Sequence, residues 1–298
     1  MFRNLDVESL GIVGRQSELI ELALSFGFKG LNLDLQDFSR QVEEHGLDRA
    51  RRLIDSAKLQ LGSFQLPLDC DADEDEFKTG LVRLPEQVKL AAEIGCTRCR
   101  AALTPANDVL PYHECFELYR RRFRQIGEVL GEHGIRLGVG FQAPAHCRKN
   151  RTFQFVHTFD AFLLLVKSVA SPHVGICLDV WHWHVSGGTF EQLEVLTFDD
   201  VVSLDLSDAS TMAGDDNVDD SMRQLPSAGP ESGGIIDAPR ILTTLAKIGY
   251  DGPVSPTADP ESLGGLRRDE IVKKAGEAMD AAWTAAKLSK RGKLAASN

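Results

Sequence analysis

The stretch Gln16-Ser17-Glu18-Leu19-Ile20-Glu21-Leu22-Ala23-Leu24-Ser25-Phe26-Gly27, followed by Leu31-Asn32-Leu33-Asp34-Leu35, decides the fold. Leu19, Ile20, Ala23 and Leu24 recur at helical spacing, Gly27 stops the helix, and the next apolar residues alternate at the period of a strand. A glycine just past a helix accepts the left-handed backbone that returns the chain toward a sheet. The same grammar recurs at Ala91-Ala92-Glu93-Ile94-Gly95 before Thr97–Leu103, at Glu132-His133-Gly134 before Ile135–Phe141, and at Ala246-Lys247-Ile248-Gly249 before Pro253–Ser255.

Working outward, strands are predicted near 2–6, 30–35, 60–68, 98–103, 136–141, 174–178, 201–206 and 252–256. The clearest helices between them span 40–58, 77–94, 113–133, 159–169 and 237–248. Eight strands alternating with helices over 298 residues predict an α/β protein built as one closed (β/α)8 barrel, a TIM barrel, over residues 1–287. Residues 288–298, with Lys290, Arg291 and Lys293 among small and polar neighbours, read as a frayed polar and basic tail. An open doubly wound sheet needs a glycine-rich phosphate turn after its first strand. Leu10-Gly11-Ile12-Val13-Gly14-Arg15-Gln16 lacks that pattern.

A net charge of -11 repels polyanions, so neither nucleic acid nor an anionic membrane is an expected partner. Met1 leads into Arg3, Asp6 and Glu8 rather than an apolar leader, and the expected location is cytoplasmic. Six cysteines in a chain of this length are expected as free thiols, Cys96 and Cys99 included despite their CxxC spacing. The acidic run Asp69 to Glu76 reads as the solvated start of a helix, where negative charge meets the positive end of the helix dipole. The long segment Ser207–Gly234, rich in Asp, Ser, Gly and Pro, is the natural substrate loop or lid.

In a barrel of this kind, chemistry collects where strands end. In Val174-Gly175-Ile176-Cys177-Leu178-Asp179-Val180-Trp181-His182 an acid closes a buried apolar run, which is costly unless a metal, a hydrogen-bond network or solvent faces it. Asp179 also suits the N-cap of the helix that follows. Gln65 and Asp34 close strands three and two, and His146 and Arg148 follow strand five, where they could meet a phosphate or carboxylate.

Three segments carry a resemblance. Leu178-Asp179-Val180-Trp181-His182 is similar to an LDxxH motif. Arg223-Gln224-Leu225-Pro226, with Gly229 and Gly233-Gly234-Ile235-Ile236-Asp237, is similar to an R-x-L-P-G-x-G-x-I-D segment. Gly249-Tyr250-Asp251-Gly252-Pro253-Val254-Ser255 matches GYDGPVS at the entry to strand eight. Together they resemble the xylose isomerase-like sugar isomerase and epimerase family, as a divergent member. The resemblance implies a small carbohydrate or sugar-phosphate substrate, a divalent metal (Mg2+, Mn2+ or Zn2+), and often a homodimer. It also implies Asp179 as a metal ligand, His182 and Arg223 as substrate contacts, and Asp205 in the place of the family's strand-seven His ligand.

The departures are as informative. Leu137-Gly138-Val139-Gly140-Phe141 has Gly140 where the family has a Glu ligand; Asp205-Leu206-Ser207-Asp208 replaces HLND; Thr257-Ala258 stands where the family has its final Glu-Pro. The two missing glutamates serve the family both as ligands and as the proton-transfer pair, and two carboxylates act as acid and base only from both faces of the substrate. A rebuilt site of Asp179, Asp205, Gln142 and Asp259 would offer oxygen ligands for a hard cation, although Gln142 and Asp259 stand one strand step beyond the usual positions. The expected catalytic set is thus Asp179, His182 and Asp205, with His182, Arg223, Gln142 and Gln65 for substrate and a degraded metal site at Asp179 and Asp205. An isomerase or epimerase, a related lyase on a keto-polyol, and a noncatalytic carbohydrate-binding barrel all remain open, whereas an abasic-site endonuclease lacks its histidines and basic face.

Overall fold

The computed structural model describes residues 1–210 and 218–294. Strands β1 (Phe2–Leu5), β2 (Gly30–Leu31), β3 (Gln60–Leu61 and Phe64–Gln65), β4 (Arg98–Ala102), β5 (Arg136–Gly140), β6 (Val174–Asp179), β7 (Val201–Leu206) and β8 (Pro253–Pro256) are all parallel. Their order is 3-2-1-8-7-6-5-4-3, because the two halves of β3 pair with β2 and β4 respectively. The sheet therefore closes on itself and has no free edge, as the alternating pattern predicts.

The interior runs as near-continuous apolar strands, since both faces of a parallel barrel are covered. Leu137, Val139, Ile176, Leu178, Leu204, Leu206 and Val254 are fully buried. The closing seam is tight: a Cβ on Gly62, between the halves of β3, would lie 2.4 Å from the Oδ1 atoms of both Asn4 and Asn32.

Two element boundaries differ from expectation. After α1 (Gln16–Ser25), the segment 40–58 is two helices, α2 (Leu35–His45) and α3 (Leu47–Ala57), because Gly46 at φ 79° and ψ 154° adopts a conformation essentially reserved for glycine. Strand two ends at Leu31 rather than 35, since the Asp34 carboxylate caps α2 by accepting from Asp37 N at 2.9 Å. The tail is ordered through Leu294: Leu288 pairs with Leu294 in a tight turn, and Gly292 packs on Met1. Residues 295–298 of the predicted tail lie outside the described residues, as do 211–217 of the predicted lid.

The acidic run behaves as a helix start. Asp73 caps the helix Glu74–Glu93, accepting from Asp75 N and Glu76 N at 3.0 and 2.9 Å. Among the described residues no helix is long and apolar enough to cross a membrane. Cys96 and Cys99 are buried free thiols, and burial pushes the Cys96 thiol up to about 12.

Candidate functional site

Four polar side chains form a floor inside the barrel. Asn4 Nδ2 donates to Asn32 Oδ1 and to Ser255 Oγ, each at 2.9 Å, and Ser63 donates its N and Oγ to Asn32 Oδ1 at 3.0 and 3.1 Å. The strand period then places a charged layer next to this floor. Arg100 of β4 reaches across the barrel and makes a two-pronged pair with Asp205 of β7, Nη1 to Oδ1 at 3.1 Å and Nη2 to Oδ2. Its Nη1 also donates to Asp6 Oδ2, just past β1, at 3.3 Å. Gly138, the in-register neighbour of Arg100, keeps the interior open, since a Cβ there would lie 2.6 Å from Cys177 Sγ.

A second pair stands at the end of β6. Asp179 Oδ1 accepts from Trp181 N at 2.9 Å and His182 N at 3.4 Å, so it caps the short helix Val180–Val185 as the sequence allows. Its Oδ2 accepts from Arg223 Nη2 at 2.7 Å, and the same nitrogen donates to Thr257 Oγ1 at 2.6 Å. Arg223 is delivered by the loop after β7, whose two arms pair antiparallel through Asp208–Ala209 and Arg223–Gln224. Asp208 locks the loop's return by accepting from Ile235 N and Ile236 N, both at 2.9 Å.

Electrostatics follow from this pairing. Burial opposes the charge on Arg100, but Asp205 and Asp6 outweigh it and hold the guanidinium permanently protonated. Burial raises the Asp6 carboxyl above its ordinary range, with Arg100 pulling the other way. For Asp179 the burial penalty is overcome by the Arg223 guanidinium, helped by the backbone N–H of His182, and the carboxyl is held below its usual value. Burial lowers the His182 imidazole, partly offset by Asp179. Its Nδ1 accepts from Ala143 N at 3.5 Å and its Nε2 lies 3.9 Å from Asp179 Oδ2.

The structure therefore gathers Asp179, His182, Arg223 and Asp205 at one mouth. Gln65 is exposed at the end of β3, in register with Arg100, and Gln142 is half-buried just past β5. Asp259 is spent on a local cap, accepting from Ser262 N at 3.0 Å. Sequence reasoning missed Asp6 and Arg100. Asp6 closes β1 in the way Asp179 closes β6, and Arg100 is a charge at an inward strand position; both signals were legible.

The donors at the strand ends do not fit a divalent cation as they stand. Both Asp205 oxygens receive Arg100, and Asp179 is divided between two backbone N–H groups and Arg223. A metal ion there would displace or face two guanidinium groups. The place of the absent strand-five ligand is free space: a Cβ on Gly140 would meet nothing nearer than Ala101 O at 3.8 Å.

Comparison with known proteins agrees with this architecture. A model described as xylose isomerase-like TIM barrel matches residues 20–282. A Xenopus laevis protein named "Putative hydroxypyruvate isomerase" is 26% identical over 123 residues, 40% of this chain and 42% of the relative, so the alignment spans less than half of that protein. The solved xylose isomerase domain protein of Alicyclobacillus acidocaldarius is 24% identical, with a TM-score of 0.84 over 96% of this chain and 99% of that one. The IOLI protein, solved with a zinc atom, is 16% identical, with a TM-score of 0.75 over 96% of this chain and 98% of its own. With its closed barrel, its strand-end carboxylates and a family match over most of its length, the chain belongs to the xylose isomerase-like TIM barrel family.

Proposed function

We propose that the protein is an isomerase or epimerase of a small ketose or keto-polyol, in which two guanidinium groups supply the positive charge at the strand ends. The observation that carries this reading is the convergence of Arg100–Asp205 and Arg223–Asp179 with a buried, neutral imidazole at one mouth. Removing a proton from the carbon beside a carbonyl puts negative charge on the carbonyl oxygen, and pre-oriented donors in a site shielded from water stabilise that enediolate. With its Nδ1 accepting from Ala143 N, the uncharged His182 presents Nε2–H to the enediolate oxygen and passes a proton between the two oxygens, while the Asp179 carboxylate beside it takes the proton from carbon. Returning the proton to the neighbouring carbon isomerises the substrate; epimerising it takes a different proton, delivered to the same carbon from the other face by solvent water.

Asp205 acts by holding the Arg100 guanidinium, and Arg223 holds the Asp179 carboxylate in place. The 3.9 Å gap between His182 Nε2 and Asp179 Oδ2 suits a substrate hydroxyl bonded to both, each bond at about 2.8 Å. Arg223, Gln142 and Gln65 contact the remaining hydroxyls. Six unpaired thiols, five of them buried, support a reducing, cytoplasmic setting.

The test is incubation in D2O with a panel of ketoses and keto-polyols, read by NMR. Deuterium at the carbon beside the carbonyl, lost in Asp179→Asn and slowed in His182→Gln, is the expected result. A noncatalytic carbohydrate-binding barrel is the second reading, favoured by Gly140 and Thr257, which offer no carboxylate pair across the substrate. Calorimetric sugar binding without any deuterium incorporation decides for it and against an isomerase.

A further inference from the structure

A second group of chemistry-bearing residues lies on the same face of the barrel, away from the strand-end pairs. His146 and Cys147 belong to the 3-10 turn Ala145–Arg148 after β5, and Asp220 opens the 3-10 turn Asp220–Met222 after β7. Cys147 Sγ lies 3.3 Å from His146 Nε2, which lies 3.6 Å from Asp220 Oδ2, and the three ligand atoms are all within 4.8 Å of one another. Among the described residues these are the only three or more His, Cys, Asp or Glu side chains so gathered.

We propose that His146, Cys147 and Asp220 form a zinc site on the rim of the barrel mouth. The inference does not depend on the reaction proposed above.

Four observations carry it. With Zn–S near 2.3 Å and Zn–N and Zn–O near 2.1 Å, tetrahedral ligands stand about 3.3–3.7 Å apart, and the two measured separations lie in that range. A thiol, an imidazole and a carboxylate together suit a borderline-soft ion and disfavour Mg2+ and Ca2+, which take oxygen alone. The carboxylate is oriented from behind: the fully buried Trp181 donates its indole Nε1 to Asp220 Oδ1 at 3.1 Å, which leaves Oδ2 turned toward the imidazole. Lastly, a cavity of about 410 Å³ lined in part by His146, Lys149, Gln154 and Asp219 opens beside the imidazole, giving room for a water or a ligand oxygen next to the cluster.

Trp181 ties the two regions together. Its backbone N–H binds Asp179 Oδ1 and its indole binds Asp220 Oδ1, so the rim site is displaced from the strand-end acid by the length of one tryptophan. The rim thus offers a metal position that the guanidinium groups leave no room for at the strand ends.

The experiment uses the full, untagged chain stripped with a chelator and titrated calorimetrically with Zn2+, alongside Co2+ substitution read by absorption. One ion per chain and a thiolate-to-cobalt charge-transfer band are expected. Since even the outer partners of ligands are worth about 10–100-fold in metal affinity, Cys147→Ser and Asp220→Asn should each weaken zinc at least that much. Cys147→Ser should also abolish the band, while Asp179→Asn should keep both band and affinity; circular dichroism confirms that each variant is folded. The proposal is overturned by a chain that takes up no stoichiometric zinc, by cobalt binding without a thiolate band, or by zinc affinity that survives Cys147→Ser and disappears in Asp179→Asn. None of these outcomes bears on the deuterium assay, so the two proposals fail separately.

Discussion

At the scale of single residues, the site is governed by charges that satisfy one another. Arg100 is buried with two carboxylates, and removing one partner of a buried pair leaves an uncompensated charge. Asp205→Ala is therefore expected to cost about 3–5 kcal/mol in denaturant unfolding, and the triple variant Arg100→Met with Asp205→Leu and Asp6→Asn, which leaves no buried charge of the group unpaired, to recover most of it. A smaller loss in the single variant would show that Asp6 alone can hold the guanidinium. His182 sets a pH dependence with the opposite sign from a paired histidine. Its folded pKa is lowered by burial, so the unfolded state takes up protons first as the pH falls. The stability it contributes is fully present above its unfolded value of about 6.5 and is lost as pH falls toward the folded value. Melting temperatures followed below neutrality should decline less in His182→Gln than in the parent protein.

At the scale of elements, caps and turns account for where sequence expectation and structure diverge. Helical periodicity runs unbroken through 40–58, and nothing in that periodicity marks the break between α2 and α3. Only the backbone of Gly46 does, at φ 79° and ψ 154°. No atom lies within 4 Å of a Cβ placed there, so Gly46→Ala tests conformation without a clash. A loss of about 1–3 kcal/mol is expected from thermal unfolding. An unchanged melting temperature would mean that the joint relaxes freely. Asp73 offers a parallel test at the start of the helix Glu74–Glu93. Removing its side-chain acceptor in Asp73→Ala should cost about 1 kcal/mol, measured the same way.

At the scale of the whole molecule, closure of the barrel depends on β3, which is split between both ends of the sheet. Gly62→Ala would drive a methyl group to 2.4 Å from Asn4 and Asn32 and disturb the polar floor. Overpacking of this kind costs about 1–3 kcal/mol. The expected readout is a lower denaturation midpoint together with faster exchange of the Leu33 amide, which bonds Ser63 O across the seam. Barrel class, strand positions, the family resemblance and the residues Asp179, His182, Asp205 and Arg223 were legible in the chain, because apolar periodicity and glycine stops are local signals. Pairing was not legible. The sequence by itself determined that acids would end the strands at one mouth and that two family glutamates were absent. Only the tertiary structure decided that guanidinium groups from β4 and from the loop after β7 meet those acids. Residues 100 and 205, or 179 and 223, are far apart along the chain, and no local period records which charges a closing barrel brings together.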